Sequence, residues 1–171
     1  DFEILSDLNH PNLCRVYSMD FYGKEGLVIQ YLEYIDGINI LEACTPLDFP
    51  FLTRRLKEIL LALDYIHSKS LVHMDIKINN IMVENAEREN DPKVKILDFG
   101  ISKRITDIRD SRISGTIHYI APEQFLSGRI THKADLFSLG VLLYRITTSR
   151  FPFEGKSINQ VMESILNSTP V

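Results

Sequence analysis

Between Pro50 and Ser68 the apolar residues fall at 52, 56, 59, 60, 63 and 66, one face of a helix, and the stripe predicts a buried one. "THKADLFSLGVLLYRIT" has helical length and is apolar nearly all round in its second half, which predicts a central, buried helix. Residues 157–167 read as a last amphipathic helix. "LCRVYSMDFY" and "GLVIQYLEY" read as strands joined by a turn at Gly23 to Gly26. "NIMVE" and "VKILDF" are short apolar runs parted by "NAEREND" and Pro92, which predicts a small hairpin. "DFEILSDLNHPN" opens with helical periodicity, without a cap, and stops at His10-Pro11, where proline excludes further helix. Residues 100–118 are polar and irregular. The pattern predicts an α+β fold, mostly a helical lobe with a small sheet.

Composition narrows this little. Hydrophobic content of 44% and charged content of 25% are ordinary for a soluble globular protein. A length of 171 residues suits one core or part of a larger domain. The net charge of -4 gives no electrostatic reason to expect nucleic acid or an anionic membrane as partner. No apolar run approaches the roughly 18–20 residues of a membrane span, and "DFEILSDL" lacks the marks of a signal peptide. Cys14 and Cys44 show no metal spacing and read as reduced, partly buried thiols of a cytoplasmic protein.

The chemistry concentrates in "LVHMDIKINNIMV" (71–83) and "LDFG" (97–100). Phosphoryl transfer from a nucleotide needs a carboxylate to take or orient the attacking hydroxyl's proton, oxygen ligands for Mg²⁺, and a cation near the transferring group. Asp75 fits the first need, Asn80 and Asp98 the second, and Lys77 the third. These are hard ligands, unsuited to zinc or copper. Asn79 is a poorer ligand than Asn80, because the strand that follows holds Asn80 more firmly.

These motifs carry a family resemblance. "HMDIKINN" resembles the H-R-D-x-K-x-x-N catalytic loop of eukaryotic-type serine/threonine protein kinases, and "LDFG" resembles their metal-binding motif. "GTIHYIAPE" (115–123) resembles G-T-x-x-Y-x-A-P-E, and "DLFSLGVLLY" from Asp135 resembles their central helix. "LNHPNL" (8–13) is similar to the loop after the regulatory helix, and "EYIDG" (33–37) to the hinge between lobes. The motifs stand in the family's order, with 18 positions from Asn80 to Asp98 and 23 from Phe99 to Pro122.

The resemblance implies a partial protein kinase domain over 1–171: the end of the small β-rich lobe (1–32), the hinge (33–37) and the large lobe (38–171), truncated before its last helices. It implies transfer of the γ-phosphate of ATP, with Mg²⁺, to a Ser/Thr hydroxyl of a protein substrate. Asp75 would be the catalytic base; Lys77, with Thr116, would mark serine/threonine specificity; Asn80 and Asp98 would hold Mg²⁺. The Glu33 and Ile35 backbones would bind adenine, Leu32 would be the gatekeeper, Met82 would pack under the base with Leu97 beside it, and Asn39 would contact the ribose. Leu5, Val16, His73 and Phe99 would stack as a spine, and Asp135 would brace the catalytic loop or simply cap its helix. His10, His118 and His132 read as surface or structural, and the basic scatter through 103–112 as a solvated loop.

Three departures qualify these expectations. The chain starts after the Gly-rich loop and strand lysine and stops before the arginine partner of Glu123, so by itself it is expected to transfer little. Asp1 falls where the family has a glutamate. Met74 replaces the loop arginine, which in the family pairs with an activation-loop phosphate, so Thr106, Ser111 and Ser114 are poor candidates for an obligatory switch. The alternative is a pseudokinase, a scaffold or nucleotide-sensing module; a small-molecule phosphotransferase is disfavoured by "GTIHYIAPE". Regulatory domains in the same longer chain are also expected.

Overall fold

The computed structural model describes residues 7–22, 27–85, 92–98, 103–104, 117–126 and 129–170. Strands β1 (Val16–Tyr22) and β2 (Leu27–Leu32) pair antiparallel, as their alternation predicts. A second sheet has the order β3 (Gly37–Asn39), β5 (Ile81–Glu84), β6 (Lys93–Ile96), all antiparallel. The hairpin β5–β6 is the one the two short apolar runs predict. Strand β3 is a finding, since three residues carry too little pattern to be read. Gly37 permits it, because a Cβ there would lie 2.3 Å from the Val83 carbonyl oxygen. The two-residue strands β4 (Leu71–Val72) and β7 (Lys103–Arg104) pair with each other.

The helices are α1 (Ile40–Ala43), α2 (Phe49–Ser68), α3 (Pro122–Phe125), α4 (Lys133–Thr148) and α5 (Ile158–Asn167). Helix α2 starts where Asp48 accepts a hydrogen bond from the Phe51 N–H at 3.2 Å, with Pro50 in its first turn. Its residues Leu52, Ile59, Leu63 and Ile66 are buried and Leu56 packs against them, but Leu60 is 42% exposed. Position 60 lies on the flank of the stripe, so the helix turns it past the edge of the core. Helix α4 buries Leu139, Val141, Leu142 and Ile146, as expected, and ends where Ser149 turns left-handed at φ 61°.

One core joins α2, α4 and the inner face of the β3–β5–β6 sheet, through Ile59, Leu63, Ile81, Val83, Val94, Ile96 and Leu142. Glu58 ties helix to sheet by accepting the Val94 N–H at 2.8 Å and pairing with Arg55 at 3.0 Å. The loop before β1 is stitched to β6: the Ile96 N–H donates to the Asn12 carbonyl (2.9 Å) and the Cys14 N–H to the Ile96 carbonyl (2.8 Å). Both cysteines are free and buried, and burial pushes the Cys44 thiol up to about 11. The expected opening helix, Asp1 and the spine residues Leu5 and Phe99 lie outside the described residues; Val16 and His73 are both buried.

Candidate active site

The loop from His73 to Asn80 is shaped by one carboxylate. Asp135, in the first turn of α4, is fully buried; its Oδ2 accepts the His73 N–H at 2.9 Å and its Oδ1 accepts the Met74 N–H at 2.8 Å. Its Oδ2 also lies 2.7 Å from Nε2 of His67, at the end of α2. The Met74 backbone is left-handed, φ 67°, which costs an L-residue roughly 1–2 kcal/mol. The two bonds to Asp135 hold it there, and the chain leaves Met74 in the direction that delivers Asp75. Asp135 therefore braces the loop, while His132 at the N-cap of α4 makes no side-chain capping bond.

Asp75 is 7% exposed. Its Oδ2 accepts from Lys77 Nζ and from Asn80 Nδ2, each at 2.7 Å, and Asn80 Nδ2 also reaches the Asp75 carbonyl at 2.9 Å. One carboxylate oxygen is thus neutralised by two donors, and the other is left to accept a proton donor from outside. With its Nδ2 committed to Asp75, Asn80 presents its Oδ1 as a neutral, hard ligand.

Asp98 joins this network through the peptide before it. The Leu97 N–H donates to the Asn80 carbonyl at 2.8 Å, and the Leu97 carbonyl lies 3.0 Å from His73 Nε2. The Asp75 N–H donates to His73 Nδ1 at 3.3 Å, which assigns the imidazole proton to Nε2. Asp98 follows in a left-handed conformation, φ 60°, with its side chain exposed. Among the described residues no three His, Cys, Asp or Glu side chains form a metal cage. An amide oxygen and one carboxylate instead suit Mg²⁺, which keeps waters and takes its remaining ligands from phosphates.

His73 is fully buried, and burial, set against the fields of Asp135, Asp75 and Asp98, lowers its pKa below 6.5. A depressed histidine pKa means the fold favours the neutral ring. Its contribution to stability is whole above 6.5 and is lost as pH falls towards the folded value. We expect chemical denaturation to show stability dropping between pH 7 and 5, by up to about 1.4 kcal/mol per pH unit from His73. Burial lowers His10 and His118 in the same direction. A stability that stays flat or rises across that window would contradict this.

The outer face of the three-stranded sheet forms a floor. Asn39, Met82 and Lys95 are in register across β3, β5 and β6 and so share that face, while Ile38, Val83 and Val94 share the core face. Lys95 Nζ rises from the floor to Glu33 Oε1 and Oε2, at 2.7 and 2.9 Å. Burial alone would raise the Glu33 pKa, but the bonds from Lys95 and the Arg15 N–H outweigh it and hold the carboxyl below its ordinary value. The Glu33 N–H is taken by the Arg15 carbonyl (2.8 Å), and its own carbonyl meets the Cys14 thiol at 3.5 Å, a weak contact. Leu32 is 42% exposed at the start of this segment and Ile35 is buried. Leu97 continues the floor side of β6 and is half-buried.

Asn39 differs from its expected surroundings. Its Oδ1 accepts the Glu42 N–H at 3.0 Å, capping α1, and its Nδ2 donates to Glu42 Oε2 at 2.8 Å. Thr116, with Thr106, Ser111 and Ser114, lies outside the described residues. Met74 packs in an apolar cluster with Val72, Ala121, Ile130 and Ala134. Residues 117–126 are thereby joined to the His73–Asn80 loop by apolar contact, and the buried Tyr119 adds a bond to the Ile78 backbone.

Sequence reasoning missed Lys95, His67 and Glu42. A lysine alternating with buried Val94 and Ile96 was the available signal for Lys95, since such a residue must leave on the opposite face. His67 had none, because its partner is 68 positions away; for Glu42 the signal was the asparagine three positions before it, a helix-capping spacing.

Residues 1–170 match the family model for the protein kinase domain. The chain is 30% identical over 172 residues to the serine/threonine-protein kinase PrkC of Bacillus subtilis (strain 168), covering 96% of this chain and 26% of that protein. It is 38% identical over 165 residues to the serine/threonine-protein kinase pkn3 of Myxococcus xanthus, covering 89% of this chain and 29% of the relative. Against ribosomal protein S6 kinase alpha-6 of Danio rerio the identity is 33% over 169 residues, covering 97% of this chain and 22% of the relative. The chain thus spans less than a third of the length of these curated relatives.

Proposed function

Because this chain belongs to the protein kinase domain family, we propose that it supplies the catalytic loop, hinge and large lobe of a serine/threonine kinase. ATP use comes with that family. The observation that carries the reading is the Asp75 carboxylate, pinned on one oxygen by Lys77 and Asn80 and open on the other. An open, partly buried carboxylate oxygen is what a substrate hydroxyl needs as it becomes a nucleophile. Lys77 Nζ, 2.7 Å from Asp75, places a positive charge where the transferring phosphoryl group comes in.

Mg²⁺ fits the donor set of Asn80 Oδ1 and the Asp98 carboxylate; bound there it would neutralise charge on the nucleotide's phosphates. In this reading the Glu33 carbonyl and Ile35 N–H face adenine, Leu32 guards the rear, and Met82 and Leu97 lie beneath the base. Residues 1–32, 33–37 and 38–171 are the end of the small lobe, the hinge and the large lobe. Lys77 and Thr116 select a Ser/Thr hydroxyl of a protein substrate. Met74, seated among apolar side chains, offers nothing to an activation-loop phosphate, so activation by phosphorylation of Thr106, Ser111 or Ser114 is disfavoured. Regulatory domains belong to the remaining length of the protein. Among the described residues no helix is long and apolar enough to cross a membrane, and two free thiols fit a cytoplasmic setting.

The test is transfer of labelled γ-phosphate by the full-length protein to a Ser/Thr protein, with and without Mg²⁺. We expect Mg²⁺-dependent transfer that falls to background in Asp98→Ala. Nucleotide binding without any transfer would favour the pseudokinase reading instead.

A further inference from the structure

Lys95 belongs to the floor by its backbone and to the segment after β2 by its charge. Strand β6, which carries it, is bonded along both edges. One edge pairs with β5; along the other, Asn12 Nδ2 donates to the Val94 carbonyl at 2.9 Å and the Cys14 N–H to the Ile96 carbonyl at 2.8 Å. From this fixed base the Lys95 ammonium bonds both carboxylate oxygens of Glu33, at 2.7 and 2.9 Å. Glu33 follows the last residue of β2 and is part of the β1–β2 ribbon, since its N–H donates to the Arg15 carbonyl (2.8 Å) and its Oε2 accepts the Arg15 N–H (3.1 Å). We propose that Lys95 is a positioning residue: it fixes the angle between the β1–β2 ribbon and the three-stranded sheet, and so sets nucleotide affinity without taking part in transfer. This rests on the ATP-binding reading proposed above.

Among the described residues, two attachments hold the ribbon to the sheet. One is the set of bonds from Asn12 and Cys14, before β1, to β6; the other is the Lys95–Glu33 pair, after β2. Between Glu33 and the sheet lie Tyr34 and Ile35, because the Asp36 carbonyl already accepts the N–H of Asn85, just past β5, at 3.1 Å. A ribbon attached at one strand can swing about that attachment; attached at both, it cannot. In the reading above the Glu33 carbonyl and Ile35 N–H face adenine, so a swing carries those groups off the base. The side chains of Lys95 and Glu33 are 12% and 23% exposed, so water screens the pair only in part. Two carboxylate oxygens neutralise the ammonium, so its charge is not offered to a phosphate. Without the pair the ribbon samples several angles. If the competent one is then populated about a tenth of the time, the apparent dissociation constant rises about tenfold.

The experiment measures the ATP dissociation constant, and KM against kcat, for the full-length protein with Mg²⁺. Lys95→Met, which keeps an apolar stem and removes the charge, is expected to raise the dissociation constant and KM by about tenfold and to change kcat by less than about twofold. Lys95→Arg restores a charge that can bond both carboxylate oxygens, and is expected to stay near wild type. Glu33→Gln should give a similar rise, and adding Lys95→Met to it little more, since both remove the same pair. A readout without nucleotide is the Cys14 amide hydrogen, whose bond crosses to β6; it is expected to exchange faster in Lys95→Met. An unchanged dissociation constant in Lys95→Met overturns the inference, as does a loss confined to kcat, a Lys95→Arg protein as weak as Lys95→Met, or a Cys14 exchange rate that does not respond. Should Lys95→Met fail to fold, Glu33→Gln carries the test, and its unchanged affinity overturns the inference. Wild type that binds no ATP sinks the kinase reading and this inference with it. ATP binding indifferent to Lys95 sinks only the inference.

Discussion

Asp75→Asn is expected to lower phosphate transfer by about 10²–10⁴-fold, the usual range for losing a general base, while leaving the protein folded. The substitution is isosteric, and the amide oxygen can still accept from Lys77 or Asn80, which hold the present carboxylate at 2.7 Å. What disappears is the basicity of the open oxygen and the charge facing Lys77. Lys77 is 21% exposed, so water compensates part of that lost pair. Denaturation should therefore show a change within about 2 kcal/mol, against roughly 4 kcal/mol in the transfer barrier for a thousandfold loss. Nucleotide affinity should be nearly unchanged, since Asp75 makes no contact with the floor or the hinge. Transfer equal to wild type in a single-turnover assay would remove Asp75 from the reaction.

Asp135→Ala is the largest expected effect on stability. It strips the acceptor from two buried backbone N–H groups, those of His73 and Met74, and from the His67 ring nitrogen. Each buried donor left unpaired costs about 1–3 kcal/mol. Release of the left-handed Met74 backbone returns about 1–2 kcal/mol. The net loss, about 1–8 kcal/mol over the three donors, is a large fraction of the roughly 5–15 kcal/mol that hold a domain folded. Asp135→Asn keeps one acceptor oxygen but turns an amide N–H₂ towards a donor, so it should fall between wild type and Ala. Urea titration separates the three. A loss under about 1 kcal/mol in Asp135→Ala would show that the loop holds its shape without the brace. Below the unfolding transition, transfer should still be depressed in Asp135→Asn, because Asp75 is aimed by the Met74 backbone that Asp135 fixes.

Much of the fold was legible along the chain because its long elements repeat one signal many times. The stripe through α2 recurs over five turns, the second half of α4 is apolar on most sides, and β1, β2, β5 and β6 alternate or run apolar long enough to be read. The exceptions are short. Strand β3 and helix α1 hold three and four residues, too few for any period to show; Gly37 lets β3 close on β5, and the Asn39 cap starts α1. Leu60 was misplaced for a different reason: periodicity gives a face, but its width depends on how far the neighbouring layer reaches.

Sequence by itself brought together the residues proposed to carry the chemistry, since a carboxylate, a lysine and an asparagine at positions 75, 77 and 80 sit on one short loop, where local spacing limits how far apart they can be. It also determined that Met74 cannot hold a phosphate, a property of the side chain alone. Tertiary structure decided what those residues can do. A buried carboxylate 60 positions downstream sets the backbone that presents Asp75, and the Leu97 peptide, clamped between His73 and Asn80, brings Asp98 to the loop. Asn39 is engaged in a cap with Glu42. Each of these is a hydrogen bond between groups distant in sequence or on an element too short to show a period. The bonds of Asp135 and of Leu97 form only after the core has brought α2, α4 and the sheet together, so no local pattern records them, whereas the Asn39–Glu42 cap spans three positions and is local.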